Sequence, residues 1–241
     1  TAVLLAGCQR DGDPSADRTA RPDTPVAALE ARADELEAGD LAGYARLAVP
    51  PALNEELEAA WREDRSRWPL SGLPMAGRIS PLLATVGAEG AEADLRAAFD
   101  RQFAGAEREL DAAAESLALF GVEYVTNEGE FSDAERVHYA QVIEALGAWA
   151  VDAPLADTAR AEAAIVRLAS AARATRLDEP ADFVSLGMAG SLERLQPFFA
   201  AAKRTLAEYG LDLDASLAAL RAEEVSRDGD TAVVRIRYPL G

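Results

Sequence analysis

The spacing of apolar residues predicts helices over most of this chain. The most regular pattern runs from Glu92 to Phe120, where apolar residues recur every three or four positions and the acidic residues fall largely off that line. This spacing is the mark of a helix with one apolar side, and we expect Gly121 to end it. The apolar positions are Leu95, Phe99, Phe103, Ala106, Leu110, Ala113, Leu117 and Phe120.

Capping residues predict where the other helices begin and end. Thr24-Pro25 joins a good N-cap to a good first-turn residue, and Gly39 can end that first helix. Ser132 and Glu135 have the spacing of a capping box, which opens a helix to about Ala150. Further helices are predicted from Asp40 to Leu47, Ala52 to Arg65, Pro81 to Val86, Asp157 to Thr175, Ser191 to Tyr209 with a bend or a new start at Pro197, and Asp214 to Ala222.

The end of the chain changes from helical spacing to alternation. Asp228-Gly229 lies between two β-favouring runs, which is the strongest short-range signal of a hairpin. We place the hairpin at about 223–239. Two strands alone are marginally stable, so this hairpin must pack on the helices or pair with another strand. The predicted fold is mainly α: one domain over residues 24–241, an irregular bundle of seven or eight helices with a C-terminal β-hairpin.

A stretch rich in proline and glycine, from Trp68 to Pro81, interrupts the helical pattern. It is too apolar for an ordinary surface linker, so we expect it to pack across the helices, where it could form the rim of a groove. Trp61 and Trp68 are seven residues apart and could share a helix face, although anchoring a core or an interface is the simpler interpretation. The groove candidates are Trp61, Trp68, Met75, His138 and Tyr139.

The charge balance excludes several classes of partner. The 241 residues include 42 acidic and 24 basic ones, giving a net charge of −18. Nucleic acid requires clusters of Lys and Arg, and an anionic lipid surface attracts basic segments, so neither is expected to bind the domain. The chain has no phosphate-cradling glycine loop and no dinucleotide fingerprint, so we predict no cofactor.

Few residues could carry catalysis. His138 is the only histidine and Cys8 the only cysteine. If Cys8 is modified, a zinc site of the usual nitrogen and sulfur type cannot form within one chain, and we predict no metal site. His138 could act as a base or a ligand, but a surface or core role is the simpler interpretation. Clustered carboxylates are expected by chance among so many acidic residues, so an enzyme is not the leading expectation.

Leu5-Ala6-Gly7-Cys8 closes a short apolar run, and a charged stretch without large apolar residues follows it. This tetrapeptide resembles the lipobox of bacterial lipoproteins. The resemblance implies cleavage between Gly7 and Cys8 and acylation of the Cys8 thiol. Residues 1–7 would then be the remnant of a signal peptide and residues 8–23 a flexible tether, with the domain facing the periplasm. Gln9, in place of an aspartate, favours the outer membrane. A buried first strand or a simple buried thiol fits the polar stretch less well.

Three functions remain open. The leading expectation is a non-enzymatic, lipid-anchored module of the cell envelope that binds a small ligand or another envelope protein. The second is an enzyme with an unfamiliar carboxylate site, which would show a deep pocket lined by acids near His138 or Tyr139. The third is a structural module that pairs with another chain through the edge of its hairpin.

Overall fold

The structure is a computed structural model that describes residues 22–65, 79–128, 131–229 and 231–240. In this part of the chain the helices are α1 Pro25–Ala38, α2 Leu41–Ala48, α3 Pro51–Arg62, α4 Ile79–Gly87, α5 Ala91–Gln102, α6 Glu107–Asn127, α7 Asp133–Asp152, α8 Thr158–Thr175, α9 Pro180–Glu208 and α10 Leu213–Ala218. Two strands follow, β1 Arg221–Asp228 and β2 Thr231–Arg237. The predicted fold class, a mainly α bundle with a C-terminal hairpin, is confirmed.

The centre of the bundle is the pair formed by α8 and α9. Helices α4 and α5 pack on α8, whereas α2 and α3 pack on α9. One apolar cluster, built on Leu83, Ala172 and Leu177, joins α4 to α8 and the chain that follows it. A second cluster brings Trp61 of α3 against Met188 of α9. The bundle is therefore held by contacts between segments that are far apart in sequence.

Lys203 fixes α1 to the rest of the bundle. Lys203 is only 6% exposed, and its Nζ donates to the carbonyls of Leu36 and Glu37 at 2.9 and 2.7 Å. The same Nζ lies 2.5 Å from a carboxylate oxygen of Asp214 in α10. A buried ammonium is costly unless it is paired, and here it satisfies the open carbonyls at the end of α1. Lys203 thus connects α1, α9 and α10.

The hairpin packs beside α1 through both of its strands. β1 and β2 are antiparallel, and the pairing runs from Arg221 opposite Arg237 to Asp228 opposite Thr231. The register shifts between Glu224 and Ser226, which leaves one extra residue on β1 as a bulge. Gly229 in the turn has φ of +55°, a backbone angle that favours glycine.

Most predicted helix ends agree with the structure. The Thr24 side chain accepts from the Ala27 N–H at the start of α1, and Gly39 ends that helix with φ of +77°. Asp40 caps α2 and Asp157 caps α8 in the same way. The Ser132–Glu135 capping box opens α7 as expected. These ends depend on local backbone hydrogen bonds, which is why the sequence indicates them clearly.

The single helix predicted from Glu92 to Phe120 is wrong. The chain leaves the helix after Gln102 and starts another at Glu107, and Gly105 in the turn has φ of +71°. Gly121 does not end the second helix, which continues to Asn127. Spacing alone missed this break because a tight turn can leave the apolar repeat on both sides in register.

Three smaller predictions also need correction. Pro197 keeps helical backbone angles, and α9 instead bends at Gly187, where φ is +75° and ψ is −179°. α10 ends at Ala218, earlier than predicted, because the chain turns into β1 at Arg221. The described residues contain ten helices, more than the seven or eight expected. Residues 5–8, Trp68, Met75 and residues 8–21 of the predicted tether lie outside the described part of the chain.

Candidate functional site

The bend in α9 is built by side chains of α3. Arg62 donates from Nη1 and Nη2 to the carbonyls of Ser185 and Leu186, at 3.3 and 3.2 Å, where the first helical stretch ends. Glu58 accepts from the Ala189 N–H at 3.1 Å, where the second stretch begins. A carboxylate is favoured at a helix N-terminus and a cation at a C-terminus, so this pair compensates both new helix ends.

Trp61 belongs to the same support. Trp61 is 9% exposed, and its indole N–H donates to the Phe183 carbonyl at 2.8 Å. The Ser191 hydroxyl donates to the carbonyls of Phe183 and Gly187. Trp68 and Met75, the other groove candidates near this helix, lie outside the described residues. The groove rim at Trp68–Pro81 therefore stays a prediction.

A cleft of about 460 Å³ follows the bend between α2, α3 and α9. Its charged walls include Glu58 and Arg62, which are already engaged with the α9 backbone. Oδ1 of Asn54, on the α3 wall, is buried without a hydrogen-bond partner. A helix N-terminus can attract an anion, and the N-terminus of the second stretch of α9 is already occupied by the Glu58 carboxylate. We therefore assign this region to folding.

His138 and Tyr139 lie on α7 and are both exposed. Nε2 of His138 is 3.3 Å from the Tyr238 hydroxyl, so the histidine holds the end of the hairpin strand against α7. Tyr139 packs edge-on against Phe131, with 5.3 Å between the ring centroids. Among the residues that the structure describes, no three His, Cys, Asp or Glu side chains are grouped to hold a metal ion.

Helices α6 and α7 form an antiparallel pair that we call the arm. Within the described residues their extensive packing is with each other, and α7 also contacts the end of α9 and the hairpin. The seam between them is made of small residues: a Cβ added to Gly147 would lie 2.5 Å from the Ala118 Cβ, and one added to Gly121 would lie 3.1 Å from Ile143. Small residues let two helices approach closely, so Gly121 admits Ile143 and Gly147 admits Ala118 across the seam.

Polar contacts fix both ends of the arm. At the tip, Nη1 of Arg136 donates to the carbonyls of Val125 and Thr126, each at 2.9 Å, which satisfies the end of α6. The Ser132 side chain and backbone donate to Glu135, and these hydrogen bonds lower the pKa of that carboxyl. At the base, the Trp149 indole N–H donates to the Tyr209 carbonyl at 2.8 Å, which attaches α7 to the end of α9.

One face of α6 carries large apolar side chains that stay exposed. Leu117 and Phe120 are each 70% exposed and Tyr124 is 48% exposed, and helical spacing places all three on one face of α6. The Phe120 and Tyr124 rings stack with their centroids 6.4 Å apart. We call Leu117, Phe120 and Tyr124 the apolar stripe. A helix with one apolar side normally buries that side, and α6 does not.

Spacing alone did not show which side of α6 would be buried. The pattern of large residues singled out Leu110, Ala113, Leu117 and Phe120. The structure buries the neighbouring line instead, because α7 contacts it through Ala118 and Gly121. The signal that could have found the seam is the spacing of small residues at Ala114, Ala118 and Gly121, which permits close approach of a second helix.

No helix in the described residues combines the length and apolar content needed to cross a membrane. Comparison with known proteins adds no relative: the chain matches no family model, and no curated protein or solved structure is significantly similar to it.

Proposed function

We propose that this protein is a lipid-anchored module of the cell envelope, held at Cys8 with its domain facing the periplasm, and that it binds another protein through the apolar stripe of the arm. The observation that carries the binding role is the exposure of Leu117, Phe120 and Tyr124 on a helix pair that extends from the bundle. The anchor is supported by the resemblance of residues 5–8 to a lipobox.

The stripe has the properties of a binding surface. Monomeric soluble proteins rarely leave large apolar side chains contiguous and exposed, and such patches mark sites of interaction. Burying a Leu or Phe side chain contributes about 1.5–3 kcal/mol, so a partner that covers Leu117 and Phe120 gains roughly 3–6 kcal/mol from these two side chains toward the cost of association. The arm also presents them on a fixed helix face, which reduces the entropy lost on binding.

The experiment for the anchor compares the natural chain with a Cys8→Ser variant in a bacterial host that processes lipoproteins. We expect the natural protein to sediment with membranes and its mature N-terminus to carry a diacylglyceryl group by mass spectrometry. The variant should appear in the soluble periplasmic fraction. An unmodified Cys8 in the natural protein would refute the anchor and leave the binding role to its own test.

The experiment for the binding surface places a photo-crosslinking amino acid at position 120 of the full chain in its host. The matched control carries the same amino acid at position 115, an exposed glutamate on another face of α6. We expect a covalent protein adduct from position 120 and little from position 115. Equal adducts from both positions, or none from position 120, would rule out the stripe as a binding surface.

A further inference from the structure

We infer that the partner of the apolar stripe is a basic amphipathic helix, which carries large apolar side chains on one side and Lys or Arg along the borders of that side. This inference rests on the proposed function, because it gives the chemistry of the protein that the stripe binds. It combines the exposed apolar side chains of α6 with the acidic residues around them. A helix laid with its apolar side against an apolar surface is a recurring mode of recognition.

The arm carries half of the protein's net negative charge. Residues 107–152 include 11 acidic and two basic residues, which gives a net charge of −9, against −18 for the whole chain. These 46 positions are less than a fifth of the 241 residues. One of the two basic residues, Arg136, donates to backbone carbonyls at the tip of the arm. A surface dominated by one sign of charge attracts a partner of the opposite sign and repels a second copy of itself.

Two of these acids border the apolar stripe. Glu123 follows Phe120 by three positions, so the two side chains are neighbours on the surface of α6. Glu109 precedes Phe120 by eleven positions, which is about three turns, and therefore lies in line with it. Both glutamates are exposed, and neither forms an ion pair with any residue that the structure describes. Their charges are available to cations of a partner.

The spacing of these residues sets the form of the partner. Glu109 and Glu123 are 14 positions apart, which is about 21 Å along α6 at 1.5 Å per residue. A partner helix of about 14 residues spans the same distance, so its apolar side can cover the stripe while its basic residues meet both glutamates. Ion pairs at such an exposed rim contribute only about 2-fold to 5-fold each in affinity. The apolar side chains supply most of the affinity, and the glutamates favour the basic partner over others.

The test measures binding of a synthetic helical peptide to the full chain by fluorescence anisotropy. The peptide consists of about 14 Leu and Lys residues with the Leu side chains on one side, and its matched control has Glu in place of each Lys. We expect the Lys peptide to bind and the Glu peptide not to bind. Raising the salt concentration from about 0.05 to about 0.5 M should weaken binding of the Lys peptide about 10-fold, because salt screens the attraction.

Two charge variants separate the border of the stripe from the net charge of the protein. Glu123→Lys reverses a charge beside Phe120 and should weaken binding of the Lys peptide about 10-fold. Glu115→Lys produces the same net charge, but Glu115 lies two positions before Leu117 and therefore almost on the opposite side of α6. We expect Glu115→Lys to change the dissociation constant by less than about 3-fold. Equal weakening by both variants would mean that the peptide responds to net charge alone, and would overturn the inference.

Two leucine variants test the apolar part of the contact. Leu117 and Leu119 are 70% and 74% exposed, so both serine variants should stay folded in thermal melts followed by circular dichroism. Leu117→Ser should weaken binding of the Lys peptide at least about 10-fold. Leu119→Ser, two positions further along and almost opposite Leu117, should change it by less than about 3-fold. Equal losses in the two variants would show that the peptide does not lie on the stripe, which contradicts the inference.

The adduct from position 120 separates failure of this inference from failure of the proposed function. Mass spectrometry of that adduct identifies the captured segment. A captured helix with Lys or Arg beside large apolar residues supports the inference. A captured segment without basic residues, or a second copy of this chain, overturns it and leaves the binding role standing.

Discussion

The bundle around α9 and the arm use apolar residues in opposite ways. Around α9, large side chains such as Leu83 and Leu177 are fully buried between helices that are distant in sequence. In the arm, neighbouring helices approach closely at Gly121 and Gly147, and the large side chains Leu117 and Phe120 stay exposed. The same residue type therefore holds the fold together in one region and is free to bind in the other.

The largest expected difference comes from truncating a leucine in each region. Leu83 is 1% exposed and Leu117 is 70% exposed. Leu83→Ala leaves a cavity in the bundle and should lower the free energy of unfolding by about 3–4 kcal/mol. Leu117→Ala should change it by less than about 0.5 kcal/mol, as at most surface positions. Urea denaturation of monomeric protein measures both, and similar losses would remove the contrast between bundle and arm.

A smaller difference is expected between two glycines with nearly the same φ. Gly187 and Gly39 have φ of +75° and +77°, but ψ is −179° at Gly187 and +12° at Gly39. A Cβ at Gly187 would lie 2.0 Å from Oε1 of Glu58, whereas nothing lies within 4 Å at Gly39. Gly187→Ala combines strain in a region almost exclusive to glycine with displacement of Glu58, and should cost about 2–3 kcal/mol.

Gly39→Ala is the matched control, since it introduces left-handed strain alone and should cost about 1 kcal/mol. Denaturant titration of the two variants measures the difference directly. If Gly39→Ala is as destabilising as Gly187→Ala, the contact with Glu58 adds nothing to the free energy of unfolding. The bend at Gly187 then depends on backbone conformation only.

The smallest expected difference concerns pH. Nη2 of Arg167 donates to both carboxylate oxygens of Glu208, at 2.6 and 2.8 Å, and these bonds lower the pKa of Glu208 below its ordinary value of 4.5. A carboxyl with a lowered folded pKa adds stability above its unfolded pKa and loses it as pH falls through the folded value. Glu208→Gln should therefore be less stable than wild type at pH 7.

The difference in free energy of unfolding between the wild type and Glu208→Gln should shrink as the pH is lowered below about 5, because the wild-type carboxyl takes up a proton. Urea midpoints measured from pH 7 to pH 3 give the gap at each pH. Glu115→Gln, at an exposed position of the arm, serves as the control and should show no such change. A gap that stays constant over this range would mean that the Arg167 pair adds no pH-dependent stability.

Local signals in the sequence predicted the fold class and most helix ends. Thr24, Asp40, Ser132 and Asp157 act through hydrogen bonds to backbone within three residues, so their role is visible without the rest of the chain. The Asp228-Gly229 turn is equally local. The bend at Gly187 is different, because the residues that support it lie more than 120 positions earlier, in α3.

The candidate site was predicted less well than the fold. Among the groove candidates, Trp61 supports the bend, and His138 and Tyr139 contact aromatic neighbours. The apolar stripe was visible as a pattern, but its exposure depends on a choice between two adjacent lines of α6. Periodicity gives the direction of an apolar side relative to its own helix and says nothing about which side a second helix will cover.

The close seam of the arm has a consequence for the order in which the chain folds. α6 and α7 are separated by five residues, so their contacts close short loops, whereas the α3–α9 contacts close a loop of more than 120 residues. Short loops close faster and at lower entropic cost. The arm should therefore form early in folding and the support of the α9 bend late, so that mutations at Gly121 or Gly147 slow folding while those at Glu58 mainly speed unfolding.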